Sequence, residues 1–204
     1  MRVTRTENVT KTKSRIFLDG EFAFVLYQGE MKRFGIREGA DVPEETVRKI
    51  RNEVIFKRAK LRAMHLLSDM DRTESALREK LRQGLYPPDA VDAAVEYVRS
   101  FGYLDDDRFA ENFVRSRIGT KSRKEILALL MQKGVSAEKA QLALEACSEE
   151  GGEEETVRRI LKKKGFDPGT SDETQIRRIC GYLARKGFRY DTVRQVIQNC
   201  SDEA

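Results

Sequence analysis

Tryptophan is missing from this 204-residue chain, histidine occurs once, and cysteine three times. Each scarcity removes a class of function. His65 has no serine or cysteine motif to act on, so a histidine-driven nucleophile or general base is not indicated, and it reads as an ordinary helix residue. Cys147, Cys180 and Cys200 are odd in number and lack C-x-x-C spacing, which argues against a disulfide framework and a zinc site and fits a reducing cytoplasm. No run of about 18 apolar residues is present to cross a membrane. The N-terminal MRVTRTENVTK has no apolar signal core and reads as mature protein. Neither a Walker loop, a Rossmann glycine run nor a catalytic carboxylate pair occurs. GIREG at 35–39 lacks the lysine and the helix context of a phosphate loop. The expectation is a protein that is not an enzyme and carries no cofactor or metal.

What is abundant is charge. Apolar residues make up 39% of the chain and charged residues 36%, a balance that suits helices with wide solvated faces. Lys and Arg number 39 against 34 Asp and Glu, for a net charge of +5. The excess is clustered: five basic residues and no acid lie between 115 and 124, and eleven basic residues against four acids between 158 and 194. Clustering of this kind points to a polyanion more than the global figure does.

The most informative stretch is residues 101–135. Asp105 and Asp106 suit a helix start, where carboxylates accept orphan N–H groups and oppose the positive dipole end. The run Asp105-Asp106-Asp107 is therefore read as a cap and not as a metal site. Phe109, Ala110, Phe113 and Val114 then form one apolar stripe. Gly119-Thr120 breaks the helix. Ser122-x-x-Glu125 reads as a capping box for the next one, whose inward stripe is Ile126, Leu127, Leu130 and Met131, and Gly134-Val135 stops it.

The same pattern recurs on both sides. Residues 1–42 differ from the rest: 3–10 alternate, and apolar runs at 15–18 and 21–26 flank an Asp19-Gly20 turn, predicting a two- or three-stranded β element with a short helix near 30–34. Too small to be stable alone, this element must pack on helices or move freely. A helix is expected from Pro43 through Val47, Ile50 and Val54, and a separate one with Ala59, Ala63, Leu66 and Leu67 inward. Asp71-x-x-Glu74 reads as the cap of a helix bearing Ala76, Leu77 and Leu81 and closed by Gly84-Leu85. Pro87-Pro88 starts another with Val91, Ala94, Val95 and Val98. A helix from Ser136 carries Ala140, Ala143, Leu144 and Cys147. Residues 149–155, with Gly151-Gly152, read as a flexible junction. Beyond it come Val157, Ile160 and Leu161, a helix entered at Thr170-x-x-Glu173 with Ile176, Ile179, Cys180 and Leu183, a stop at Gly187-Phe188, and a last helix with Val193, Val196, Ile197 and Cys200.

Stop glycines at 84, 134 and 187 recur at intervals of 50 and 53 residues, each behind a capping box and ahead of an apolar residue. The predicted fold is mainly α: three tandem three-helix repeats in a curved, solenoid-like array behind a small β element. The divisions are 1–42 for the β extension, 43–105 for a linking helix and repeat 1, 106–150 for repeat 2 and 151–204 for repeat 3.

A basic run is ordinarily just a solvated helix face. Arg115, Arg117, Lys121, Arg123 and Lys124, however, straddle a helix-helix turn whose amides can also meet a phosphate. Lys162, Lys163, Lys164, Arg185, Lys186 and Arg189 crowd the ends of consecutive helices, with Tyr182, Phe188 and Tyr190 near them as stacking candidates. For Phe188 core packing is the favoured reading. These residues are the candidates for binding nucleic acid or an acidic protein face.

GYLDDDRFAENFVRSR, the following SRKEILALLMQKGV, and the later LARKGFRYDTVRQVI resemble the RecX family of recombination regulators over about residues 57–200. The N-terminal β element resembles the extension of its longer members. The resemblance implies a cytoplasmic, non-enzymatic, DNA-repair and SOS-associated regulator that lies in the groove of the RecA nucleoprotein filament and lowers ATP hydrolysis and strand exchange. Some members of the family also bind DNA. Carried over as structural motif positions are Gly102, Tyr103, Leu104, Asp105, Phe109, Ala110, Gly134 and Gly187, and as basic positions Arg115, Arg117, Arg185 and Lys186. A monomer acting on RecA, with single- or double-stranded DNA as a further partner and no membrane contact, is the expectation. The competing expectation is a DNA-binding architectural protein without a protein partner, and a scaffolding repeat protein that binds neither is a third.

Overall fold

Near the N-terminus the alternating residues form a three-stranded antiparallel sheet, β1 (Val3–Thr10), β2 (Lys13–Leu18) and β3 (Glu21–Tyr27), in that spatial order. The computed structural model describes residues 1–147, 152–167 and 171–202. Asp19 and Gly20 both take positive φ, 51° and 92°, the backbone that a two-residue turn needs if the twist of its strands is to match. The register sets Ile16 opposite Phe24 and Ser14 opposite Leu26, all four buried. The sheet is held from its edges as well as its face. Val3 N–H donates to the Ala40 carbonyl at 2.9 Å, and Gly39 N–H donates to the Val3 carbonyl at 2.8 Å. These bonds fasten β1 to the loop after helix α1 (Gln28–Phe34). On the other edge the Arg58 guanidinium donates to the Val25 carbonyl at 3.2 Å, pairs with Glu30 and covers the Tyr27 ring at 4.7 Å.

The helical part begins with a difference from expectation. α2 (Glu44–Ile50) runs through a π-helical segment, Arg51–Phe56, directly into α3 (Lys57–Asp69), where two separate helices were predicted. The cause is the spacing of the buried stripe. Ile50, Ile55, Ala59, Ala63 and Leu66 all face inward, while Val54 is only half-buried. Ile55 follows Ile50 at i+5, one residue beyond the α-helical i+4, and a wide π turn absorbs the extra residue so that the stripe returns to the same face. α4 (Glu74–Gln83) and α5 (Pro88–Ser100) complete the unit. Their Leu77, Leu81, Val91 and Val95 join Phe24 and Leu26 of the sheet in one core, so the β element packs on the helices.

The remaining helices are α6 (Asp106–Arg117), α7 (Arg123–Gln132), α8 (Ala137–Ala146), α9 (Glu153–Lys163), α10 (Glu173–Arg185) and α11 (Tyr190–Asp202). They enclose two further cores, one centred on Ala110, Val114, Ile126 and Leu130, the other on Val157, Leu161, Leu183 and Val196. The fold is thus mainly α, three three-helix units behind a three-stranded sheet. The chain divides into two compact units, Met1–Asp105 and Asp106–Ala204.

Helix ends correct several expectations. The cap of α4 is Thr73, whose Oγ1 accepts from Ala76 N–H at 3.2 Å, and not Asp71. Thr73 is buried, which puts its hydroxyl against the helix end, whereas Asp71 faces solvent. The cap of α10 is Asp172, in a full box with Gln175, and not Thr170, which lies outside the described residues. Ser122 does cap α7, but its half of the box stands alone because the Glu125 carboxylate is drawn to Lys121. In the first unit the left-handed stop falls on Leu85, φ 61°, and not on Gly84, φ −75°. Tyr86, Val135 and Phe188 donate alike to Leu81, Leu130 and Leu183, so Leu85 stands where Gly134 and Gly187 stand and the first interval is 49 residues. Met131, expected inward, is 50% exposed. Glu153, Glu154 and Glu155, expected in a flexible junction, form the first turn of α9, where carboxylates favour a helix start. Residues 149–151 of that stretch lie outside the described ones.

Glu74, at the start of α4, pairs with Arg78 of its own helix and with Arg99 of α5. Burial acts to raise its pKa, but hydrogen bonds from Arg78, at 2.8 Å, and from Arg99 outweigh it and hold the carboxyl below the ordinary range. A lowered folded-state pKa adds stability at neutral pH that is lost as pH falls through the folded value. Glu74→Gln should therefore cost about 1 kcal/mol at pH 7, and the difference from the parent should vanish on acidification to well below 4.5. Urea unfolding at the two pH values checks this.

Candidate functional site

In the second unit the N-terminus of α7 meets the C-terminus of α10. Ser122 is extended at φ −69°, ψ 156°, and its buried hydroxyl works in both directions. Oγ accepts from Glu125 N–H at 3.1 Å and donates to the Lys186 carbonyl at 2.6 Å. One side chain thus satisfies an orphan donor of α7 and an orphan acceptor of α10. Contact this close demands glycine next in line. Gly187 has φ 87°, and a Cβ there would sit 2.9 Å from Ser122 Oγ and 3.3 Å from Lys124 Cβ.

This junction forms one wall of a cleft of about 620 Å³. Its apolar surface comes from Ile160, Tyr182 and Phe188. Around it stand five cations, Lys121, Arg159, Lys163, Lys164 and Lys186, against the single carboxylate of Glu125. Glu125 pairs with Lys121 and lies 3.9 Å from Lys186. The Lys164 ammonium sits over the Tyr182 ring at 4.5 Å from its centroid. A neighbouring concavity shares Glu125, Tyr182 and Lys186 and adds Lys124 and Arg185. Cationic rim and aromatic floor together can receive a planar anion. Nucleophilic chemistry is less suited to the unit: burial pushes the Cys180 thiol up, away from the thiolate form. Among the described residues no group of three His, Cys, Asp or Glu side chains could hold a metal ion, and no helix is long and apolar enough to cross a membrane.

Three family profiles match the chain in order: RecX, first three-helix domain, at residues 59–97; second three-helix domain at 105–144; and third three-helix domain at 152–197. The chain is 35% identical over 142 residues to Regulatory protein RecX of Trichlorobacter lovleyi, covering 68% of this chain and 92% of that one. The chain belongs to the RecX family. With Regulatory protein RecX of Caldanaerobacter subterraneus it shares 29% identity over 97% of its own length and 98% of the relative's. A crystal structure of regulatory protein RecX superposes with a TM-score of 0.62 at 22% identity, covering 96% of this chain and 98% of that one, and supports the fold.

Within this RecX fold the basic residues singled out in the sequence separate into groups. Lys121, Lys163, Lys164 and Lys186 come together at the cleft, with Lys124 and Arg185 beside it. Arg123 lies on the other side of Ser122, near Ile118 and Thr156. Arg115 pairs with Glu111 at 3.2 Å, and Arg117 covers the Phe113 ring at 5.5 Å; neither lines the cleft. Lys162, Arg189 and Tyr190 are exposed away from it. Phe188 is a core residue that also contributes to the cleft wall. Arg159 was missed, although its position four residues before Lys163 on α9 places both on one helix face. Of the motif residues, Gly102 and Gly134 take positive φ, Leu104 and Ala110 are buried, Phe109 is half-buried, and Tyr103 is exposed and stacks on Phe101 with centroids 5.9 Å apart.

If the hydroxyl of Ser122 holds this junction, Ser122→Ala should lower stability by about 1–2 kcal/mol, since it removes a cap and leaves a carbonyl unpaired. Gly187→Ala should cost at least as much, about 2 kcal/mol, through left-handed strain and the close hydroxyl. Urea titrations monitored by circular dichroism report both.

Proposed function

We propose that the chain is a negative regulator of the RecA recombinase, acting in the cytoplasm as a binding protein and not as an enzyme. In this reading it binds the groove of the RecA nucleoprotein filament and lowers ATP hydrolysis and strand exchange. Family membership supports the regulatory role, and the five cations around the cleft are the observation that carries a polyanionic partner surface. Lys121, Lys163, Lys164 and Lys186 are its central contacts. Lys124, Arg185, Arg115, Arg117, Arg123, Lys162 and Arg189 are flanking ones. Segments 1–42, 43–105, 106–150 and 151–204 act as β extension, linking helix with first repeat, second repeat and third repeat.

The cations also favour a second reading, a DNA-binding architectural protein that needs no protein partner. The two differ in what happens to bare DNA, where affinity should fall steeply with salt through counterion release.

ATP hydrolysis by RecA filaments on single-stranded DNA, titrated with the protein at fixed salt, tests the first reading. Inhibition below stoichiometric amounts is expected. Lys163→Glu with Lys186→Glu should raise the half-inhibitory concentration about tenfold, as expected for reversal of two interface charges. Arg115→Glu with Arg117→Glu should raise it less. Unchanged hydrolysis alongside strong retardation of bare DNA would replace this reading with the architectural one.

A further inference from the structure

We infer that the cleft between α7, α9 and α10 takes a single unpaired nucleotide, its base against the Tyr182 ring and its phosphate among Lys121, Lys163 and Lys186. This goes beyond regulation of RecA and does not depend on it. Size is the first argument: about 620 Å³ lies within the range of about 300–1,000 Å³ for small-molecule sites. The division of the lining is the second. One part is apolar and aromatic, from Ile160, Tyr182 and Phe188, and the rest is a set of ammonium and guanidinium groups. A nucleotide is divided in the same way, into a flat apolar base and an anionic phosphate.

Other anions match only half of this surface. An acidic peptide would satisfy the lysines and leave the aromatic wall uncovered. A duplex presents phosphates but keeps its bases stacked inside, so its backbone could meet the rim while the cleft stayed empty. Extrusion of a base would cost unstacking, which an already unpaired strand does not require.

Lys164 supplies the coupling. Its ammonium now covers the Tyr182 face at 4.5 Å, where a base would stack. An arriving base exchanges one ring contact for another and releases that ammonium to a phosphate. Glu125 stays between Lys121 and Lys186. As an acceptor-only carboxylate it orients both lysines and repels a phosphate from its own position, confining the phosphate to the side of Lys163.

The test uses the full chain with a (dT)15 oligonucleotide carrying a central 2-aminopurine, a duplex of the same length, and ADP and inorganic pyrophosphate as competitors. The single strand should bind at least about tenfold more tightly than the duplex at equal salt, with quenching of the 2-aminopurine. Tyr182→Leu should weaken the single strand about tenfold and leave its salt dependence and duplex binding unchanged, whereas Tyr182→Phe should keep the parent affinity. Circular dichroism confirms that each variant is folded. ADP competing where pyrophosphate does not would extend the site to free nucleotides; failure of ADP to compete with the rest intact would confine it to strands. Equal binding of single strand and duplex, or a folded Tyr182→Leu with parent affinity, overturns the inference. RecA ATPase inhibition by Tyr182→Leu is read separately, so loss of stacking and loss of regulation are distinguishable.

Discussion

The hydroxyl of Ser122 is the point on which the second unit turns. It serves two helix ends at once, as acceptor for Glu125 N–H and donor to the Lys186 carbonyl. Each end would otherwise leave a part-buried backbone group without this partner. Because the bond to Lys186 is short and the hydroxyl fully enclosed, it fixes the distance between α7 and the α10 stop, and glycine at 187 follows from that distance. Lys124 and Lys186 line one concavity for the same reason, against the mutual repulsion of their like charges.

The cores obey a simpler rule. Each three-helix unit buries its own stripe, and each middle helix ends with an N–H reaching back five residues, from Tyr86, Val135 and Phe188. The reach requires a left-handed residue one position earlier. Glycine provides it at little cost in the second and third units, while Leu85 bears the steric penalty in the first. Tyr86, half-buried against the same core, anchors that turn strongly enough for a leucine to be tolerated.

Sequence carried the period-3.6 stripes well because burial depends on them directly: Leu77, Ile126, Leu130, Val157 and Leu183 were all legible as inward residues, and Asp19-Gly20 as a turn. Helix ends were less legible. Asp71, Thr73 and Asp172 are all chemically able to cap, and only the packing of Thr73 against the core decides between the first two. The π turn was hidden because Val54 and Ile55 are adjacent and equally apolar, so the i+4 template chose the wrong one. The candidate site was legible as residue type but not as place. Eleven cations could be named, and a subset of four meets at the cleft, because the loop before α7 and the two helix ends α9 and α10 converge only in three dimensions.

That convergence changes the meaning of the charge. A net +5 spread over 204 residues would steer a polyanion weakly. Five cations around one concavity, against one carboxylate that already holds two of them in position, is a local field with a fixed shape. Arg115 and Arg117, as basic as the rest, are engaged with Glu111 and Phe113 on the outer face of α6. A partner that recognised charge alone would find the denser cationic field at the cleft but nothing there to distinguish one polyanion from another. A partner that also needs an apolar, aromatic surface is distinguished, because Tyr182 with Ile160 and Phe188 supplies that surface at the cleft.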